Sequence, residues 1–350
     1  MKEFNYESSA DRKQHIGFSQ YAYNILKEDY ALFNPDGKPD SWNSFLNKII
    51  ENYQDLMLYP ANISRQFDTI YEDYCKSLSS VSNLTPIQQK NIKKYFKNAF
   101  IKTYKGNLKF SYPDKLSKTF NLSDNVAERL ADMEDSIESV IFERPGKYLS
   151  AIFESYAREP FLDREKIVLN EQFEKLERAT KRNKCIRFIH TNGKTYKFIP
   201  YTLQPDKMGT YWYLAGVVFS DDNTRYYSSF RLSRIVQVRE LANEHESLTY
   251  MEEQELNELI LEKGIQFLVG HSTKAVVQFT PAGLKKYANV LHRRPQISSQ
   301  LSSDTFEFVS TLEQLEYYFF SFGKDAKILE PSELRDIIAT KHAEAAQIYT

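Results

Sequence analysis

Two segments of the chain repeat one helical face. Phe45-Leu46-x-x-Ile49-Ile50-Glu51-x-Tyr53 and Tyr148-Leu149-x-x-Ile152-Phe153-Glu154-x-Tyr156 agree in residue type position by position. Each follows a strand-like run that leads to a serine: Lys13 to Ser19, with Phe45 26 residues later, and Lys118-Thr-Phe-Asn-Leu before Ser123, with Tyr148 25 residues later. Stripes at helical spacing are common, but residue types and spacing preserved together indicate an internal duplication.

In the first copy Ile16 and Phe18 alternate with His15 and Gly17. A helix is expected from Gln20 to about Phe33, and turn chemistry from Asn34 to Asp40. Ser41 then suits the cap of a second helix through Trp42 and Tyr53. The second copy offers Ser123 as cap, a helix through Val126 and Leu130, and a helix around Tyr148 to Tyr156. Each copy resembles a ribbon-helix-helix unit, a family that lays a two-stranded ribbon in the DNA major groove. The resemblance implies a ribbon paired within one chain, with Ile16, Phe18, Phe120 and Leu122 facing the helices and Lys13, His15, Thr119 and Asn121 facing outward. Gly17 leaves one outward position with no side chain to read a base edge. The unit is open to two readings, contact with nucleic acid or a scaffold only.

Charge is balanced overall, 46 Lys and Arg against 47 Asp and Glu, but not locally. Between Leu84 and Lys118 nine lysines face one acid, Asp114. Pro86 to Tyr104 reads as a helix, with Lys90, Lys93, Lys94 and Lys97 on one face and Ile92, Tyr95, Phe96, Ala99 and Phe100 on the other. Thr85 and Pro86 suit its first positions. That face is either a solvated surface or a phosphate-tracking one. A second basic stretch runs from Lys181 to Lys197, while Asp124, Glu128, Asp132, Glu134, Asp135 and Glu138 are expected on one acidic helix.

Residues 161–183 read as a helical connector into a strand-rich module at 184–238. Lys184 to His190 alternates, Asn192-Gly193 is a strong hairpin signal, and Lys194 to Ile199 returns. Strands are expected again at Tyr211 to Phe219 and Tyr226 to Leu232, and this spacing suggests a small barrel of the Sm or SH3 type. Within it, Pro200-Tyr201, Trp212-Tyr213-Leu214 and Phe230-Arg231-Leu232-Ser233-Arg234-Ile235 resemble the WYL domain. The resemblance implies a barrel that binds a negatively charged ligand, often nucleic acid, with Arg231 and Arg234 on phosphate and Tyr213 in the pocket. Many WYL domains carry Asp where this chain has Ser233. Guanidinium forks suit phosphate, and exposed rings suit unpaired bases. Arg187, His190 and Lys194 join the candidate site from charge alone, whereas Trp212 and Leu214, on the alternate face from Tyr213, read as core.

After a connector at 239–272, the order βαββαβα is expected over 273–350, a small α+β sandwich. Lys327-Ile-Leu-Glu-Pro-x-Glu-Leu-Arg resembles the ending of the extension that follows WYL domains, which implies dimer contacts and a homodimer. Arg293 and Arg294 are open to two readings, reaching ligand across a dimer or standing solvated. The whole is then a multidomain α+β chain: residues 1–160 with the duplicated units and a basic helical insert at 84–116, the barrel, and the extension.

The six histidines are scattered, Cys75 and Cys185 form no Cys-x-x-Cys, and no Walker or Gly-x-Ser-x-Gly motif is present. No metal, cofactor or enzymatic activity is expected, and without a long apolar run or leader the chain is expected in the cytoplasm. Ribbon-helix-helix and WYL together resemble the WYL proteins found beside RNA-targeting type VI CRISPR effectors. That resemblance implies single-stranded RNA (or DNA) as ligand and a regulatory, CRISPR-accessory role in antiviral defence. A ligand-sensing, DNA-binding transcriptional repressor is the alternative, and a pure interaction scaffold the third class.

Overall fold

The computed structural model describes residues 12–33, 41–55, 63–79, 84–107, 115–133, 136–220, 224–241, 246–268 and 272–349. The chain divides into two units, Met1–Asn170 and Glu171–Thr350.

The first unit contains β1 (Lys13–Ser19), α1 (Gln20–Phe33), α2 (Trp42–Asp55), α3 (Ile63–Ser79), α4 (Pro86–Asn107), β2 (Lys115–Asn121), α5 (Asp124–Asp132), α6 (Ile137–Phe142), α7 (Pro145–Tyr156) and α8 (Phe161–Val168). β1 and β2 pair antiparallel, from Lys13 opposite Asn121 to Ser19 opposite Lys115. Ile16, Phe18, Phe120 and Leu122 are buried beneath this ribbon, as strand alternation requires of its apolar residues. The two repeated helices brace the opposite strands. On α2, Asn47 accepts from the Ser123 N–H at 2.8 Å, and on α7 the Ser150 hydroxyl accepts from the Gly17 N–H at 3.3 Å.

The copies are not identical, since the second has three helices where the first has two. The acidic run expected on one helix is split between α5 and α6, and Glu134 and Asp135 lie outside the described residues. Glu138 is buried and accepts from the Ser64 N–H at 2.6 Å and from the Ser64 hydroxyl. A carboxylate there satisfies a free N–H at the start of α3, so this acid serves the core and not the surface. α4 is capped reciprocally, with the Thr85 N–H donating to Gln88 at 2.9 Å and the Gln88 N–H to Thr85 at 3.4 Å. Its apolar face is narrower than expected: Phe96 and Phe100 pack on Phe67, but Tyr95 and Ala99 are exposed and Lys97 is half-buried. The i, i+4 row through Ile92, Phe96 and Phe100 faces the two helices that pack on α4, α3 and α6. The connector expected at 161–183 forms α8 and a following helix, and α8 packs into this unit, its Ile167 carbonyl accepting from Asn52 at 2.7 Å.

The second unit contains α9 (Asn170–Lys181), β3 (Ile186–His190), β4 (Thr195–Pro205), β5 (Trp212–Phe219), β6 (Arg225–Arg231), β7 (Ile235–Glu240) and α10 (Tyr250–Lys263). Then follow β8 (Ser272–Phe279), α11 (Pro281–Asn289), β9 (Ile297–Gln300), β10 (Thr305–Thr311), α12 (Leu312–Phe320), β11 (Ala326–Glu330) and α13 (Ser332–Gln347). Strands β3 to β7 form one antiparallel sheet in the order β6-β5-β4-β3-β7. Among the described residues this sheet does not close on itself, and the small Sm/SH3-like barrel expected from sequence is seen only as five strands in this order. Closure requires a continuous ladder, whereas among the described residues β6 and β7 remain the two edges, joined by a 3₁₀ turn at Leu232–Arg234. The hairpin at Asn192-Gly193 forms, with Gly193 at φ +79°.

One face of this sheet gathers Phe188, Tyr196, Phe198 and Phe230. The other is covered by α10, with Leu256 and Ile260 against Ile199 and Val217, so the connecting segment at 239–272 builds core. Leu214 is fully buried as expected, but Trp212 is half-buried, its ring edge-on to Phe173 at 4.8 Å. The second sheet has the order β11-β8-β10-β9, in the expected βαββαβα sequence of elements. Its core gathers Phe279, Phe308, Phe319 and Phe322 with Leu334 of α13. Among the described residues, no helix is long and apolar enough to cross a membrane.

Candidate nucleic-acid interface

Beside the free edge of β6 the second unit encloses a cleft of about 360 Å³. The β5–β6 register sets Tyr213 opposite Arg231, and both line the cleft. The Arg231 guanidinium lies over the Tyr211 ring, 3.2 Å from its centroid, which orients the fork. Arg234 stands exposed on the 3₁₀ turn that follows. Arg293, at φ +53°, lines the opposite wall with its guanidinium 4.3 Å from the Tyr317 ring centroid. These three arginines act on one phenol. Burial pushes the Tyr213 hydroxyl above its usual pKa, Asp206 adds to the rise, and Arg231, Arg293 and Arg234 oppose it.

The first turn of α12 completes this wall through Thr311, Glu313 and Gln314. Gln314 is held by the Arg293 carbonyl, to which it donates at 3.1 Å, and by the Ser310 hydroxyl, which donates to it. Glu313 is the acid lining the cleft, against three guanidinium groups. Aromatic surface comes from Tyr196, Tyr211, Tyr226, Phe230 and Phe267. Two polar atoms in the lining, the Ser229 hydroxyl and the Gln266 Oε1, are buried and have no hydrogen-bond partner among the described residues, and Ser229 is only 6% exposed. Buried polar atoms are normally satisfied, so these two stand out in the lining.

Of the residues singled out by sequence, Tyr213, Arg231, Arg234 and His190 converge here. The His190 ring meets Phe230 at 5.8 Å, and its Nδ1 accepts from the Asn192 N–H at 3.1 Å. Arg187 and Lys194 are exposed and stand outside the cleft lining. In the first unit Lys13, His15, Thr119 and Asn121 are exposed on the ribbon, with the His15 Nδ1 2.8 Å from the Thr119 hydroxyl. Lys90 and Lys94 are exposed on α4, with Lys97 half-buried. Sequence reasoning missed Ser229, Gln266 and Gln314, whose types carry no signal, and left Arg293 undecided.

The fold of β8 to α13 carries a recognisable pattern. Residues 271–346 match the WCX domain. WCX is WYL-related, in keeping with the resemblance in the strand-rich module before it. The WCX domain supplies Arg293 and the start of α12 to the cleft, and the strand-rich module supplies Tyr213, Arg231 and Arg234. A solved structure described as that of a CRISPR Cas-related protein matches with a TM-score of 0.75 at 20% identity, over 96% of this chain and 94% of that one, and shows the same fold. Proteasome accessory factor B/C (PafBC) of Arthrobacter aurescens matches at 11% identity over 63% of this chain and 35% of its own, with a TM-score of 0.27, too low to bear on the fold. No curated protein matches the chain.

Proposed function

We propose that this protein is a non-enzymatic nucleic-acid-binding regulator whose WYL and WCX modules together hold a segment of single-stranded RNA. The observation that carries this reading is the convergence of Arg231, Arg234 and Arg293 on one aromatic-lined cleft containing the Ser229 and Gln266 atoms that have no partner among the described residues. Guanidinium forks pair bidentately with phosphate. Tyrosine and phenylalanine faces stack on bases, which are available only where the strand is unpaired. A cleft of about 360 Å³ suits a few groups of such a strand and excludes a duplex. The likeness to a CRISPR Cas-related protein supports a CRISPR-associated role; the RNA-targeting effector, the homodimer and the cytoplasmic setting come from the family resemblance in the sequence.

Fluorescence anisotropy against matched single-stranded RNA, single-stranded DNA and duplex DNA at two salt concentrations tests it. Tight, salt-sensitive binding of RNA without duplex binding is the expected result. A preference for duplex DNA overturns it in favour of a DNA-binding repressor, a reading supported by the exposed outer row Lys13, His15, Thr119 and Asn121 on a ribbon of ribbon-helix-helix character. In that case His15→Ala with Asn121→Ala weakens duplex binding and leaves single-strand binding alone.

A further inference from the structure

The second unit carries a row of cations that the cleft does not use. Strand register sets Arg239, Arg187, Lys197, Phe219 and Arg225 side by side on β7, β3, β4, β5 and β6. Residues directly opposite on neighbouring strands share a face, and five strands about 4.8 Å apart make a row roughly 19 Å long. None of the five lines the cleft, and Tyr213 and Arg231, which share the row's face by the same register, lie at the far end of their strands. Along β5, Phe219 lies six residues from Tyr213, roughly 20 Å at strand rise. Row and cleft are therefore separate places.

The two halves of the row differ. Lys197 pairs with Glu246 at 3.2 Å and Arg225 with Glu252 at 2.8 Å, and both stack on Phe219, at 4.6 and 5.3 Å from its centroid. Arg187 and Arg239 are both exposed and directly opposite one another, and among the described residues neither forms an ion pair. Like charges opposite each other on adjacent strands destabilise a sheet, so the chain maintains a repulsion there that an added anion relieves. Arg239 also borders a polar hollow of about 260 Å³ along the free edge of β7, with Gln172, Gln237 and Lys175, the last held by Glu171 at 2.5 Å. Amides, guanidinium groups and the unpaired N–H groups of an edge strand are donors that suit phosphate and ribose and read no base.

We propose that Arg187 and Arg239, with the hollow beside β7, form a second, sequence-independent contact for the phosphodiester backbone of a single strand. This rests on the reading of the second unit as a nucleic-acid binder. The cleft takes a short segment, and the row holds a strand long enough to extend beyond it.

The test is anisotropy of the full chain with a 20-nucleotide and a 3-nucleotide oligouridylate across a salt series. For Arg187→Gln with Arg239→Gln, the longer RNA is expected to bind about tenfold more weakly at low salt. The slope of log affinity against log salt is expected to fall by about 1.4, two contacts at about 0.7 each. Trinucleotide affinity stays unchanged, and the paired lysine variants Arg187→Lys with Arg239→Lys keep the slope, because charge alone is required. Arg231→Gln with Arg234→Gln weakens both RNAs. If the glutamine pair leaves the slope and affinity for the longer RNA unchanged while the Arg231 and Arg234 variants weaken it, the row is plain surface and the inference is overturned. If the unaltered protein binds neither RNA at any salt, the functional reading itself falls.

Discussion

Ser19 donates both its backbone N–H and its hydroxyl to the Glu154 carboxylate, at 2.6 and 3.0 Å. Ser123 stands in the same relation to Glu51, hydroxyl to carboxylate at 2.9 Å. Ser19 ends the strand of one copy and Ser123 comes just after that of the other, and each glutamate belongs to the repeated helix of the opposite copy. The duplicated motif thus closes on its partner copy, as an isologous contact does between two subunits.

Glu154 is almost fully buried and Glu51 half-buried. Glu154→Ala is expected to cost about 2–3 kcal/mol, the range of hydrogen bonds to a buried charge, and Glu51→Ala less. Urea unfolding of both variants measures this, and equal costs would argue against reciprocal bracing of unequal depth.

Asp29, 1% exposed, accepts from Tyr156 and Arg164, each at 2.7 Å. Burial raises its carboxyl above the usual 3.8, and the bonds to Arg164 and then Tyr156 oppose the rise. A raised folded-state pKa gives stability that is full below 3.8 and is lost as pH climbs through the folded value. Arg164→Gln removes the main opposing group and widens that window upward. The variant should lose about 3–5 kcal/mol at pH 7, the cost of stranding a buried charge, and visibly less at pH 5. Asp29→Asn in the same background should abolish the difference, as read by denaturant titration at the two pH values.

Arg293 lines the cleft, whereas its neighbour Arg294 donates to the carbonyls of Tyr287 and Ala288 at 3.4 and 3.5 Å. Arg293→Ala should lower single-stranded RNA affinity about tenfold, the effect of one lost charge-assisted contact, and Arg294→Ala should leave it near wild type. Anisotropy titration separates the two, and the reverse order would remove Arg293 from the site.

Gly216 pairs with Pro200 where the β4–β5 register shifts, and a Cβ there would lie 2.1 Å from the Ile199 carbonyl oxygen. Gly216→Ala should cost at least about 1–3 kcal/mol, because backbone cannot yield as a side chain can. A thermal midpoint unchanged from wild type would mean that the strands part locally at no cost.

Much was legible because backbone geometry imprints short periods. Alternation placed Ile16, Phe18, Phe120 and Leu122 under the ribbon, and helical spacing marked the repeated face that closes on it. Turn and cap residues announced the C-terminal order of elements, and the WYL-like residues Tyr213, Arg231 and Arg234 announced one wall of the cleft.

Tertiary structure alone decided which distant residues meet. Nothing near Glu138 says that it will cap α3, and nothing near Arg293 says that it will face Arg231 across a cleft. The repulsion between Arg187 and Arg239 exists only because one register aligns them, and a shift of one residue would send Arg239 to the other face. Local sequence specifies elements because each residue's conformation answers to its immediate neighbours. The sites depend on register and packing between segments far apart in the chain, which no local pattern encodes.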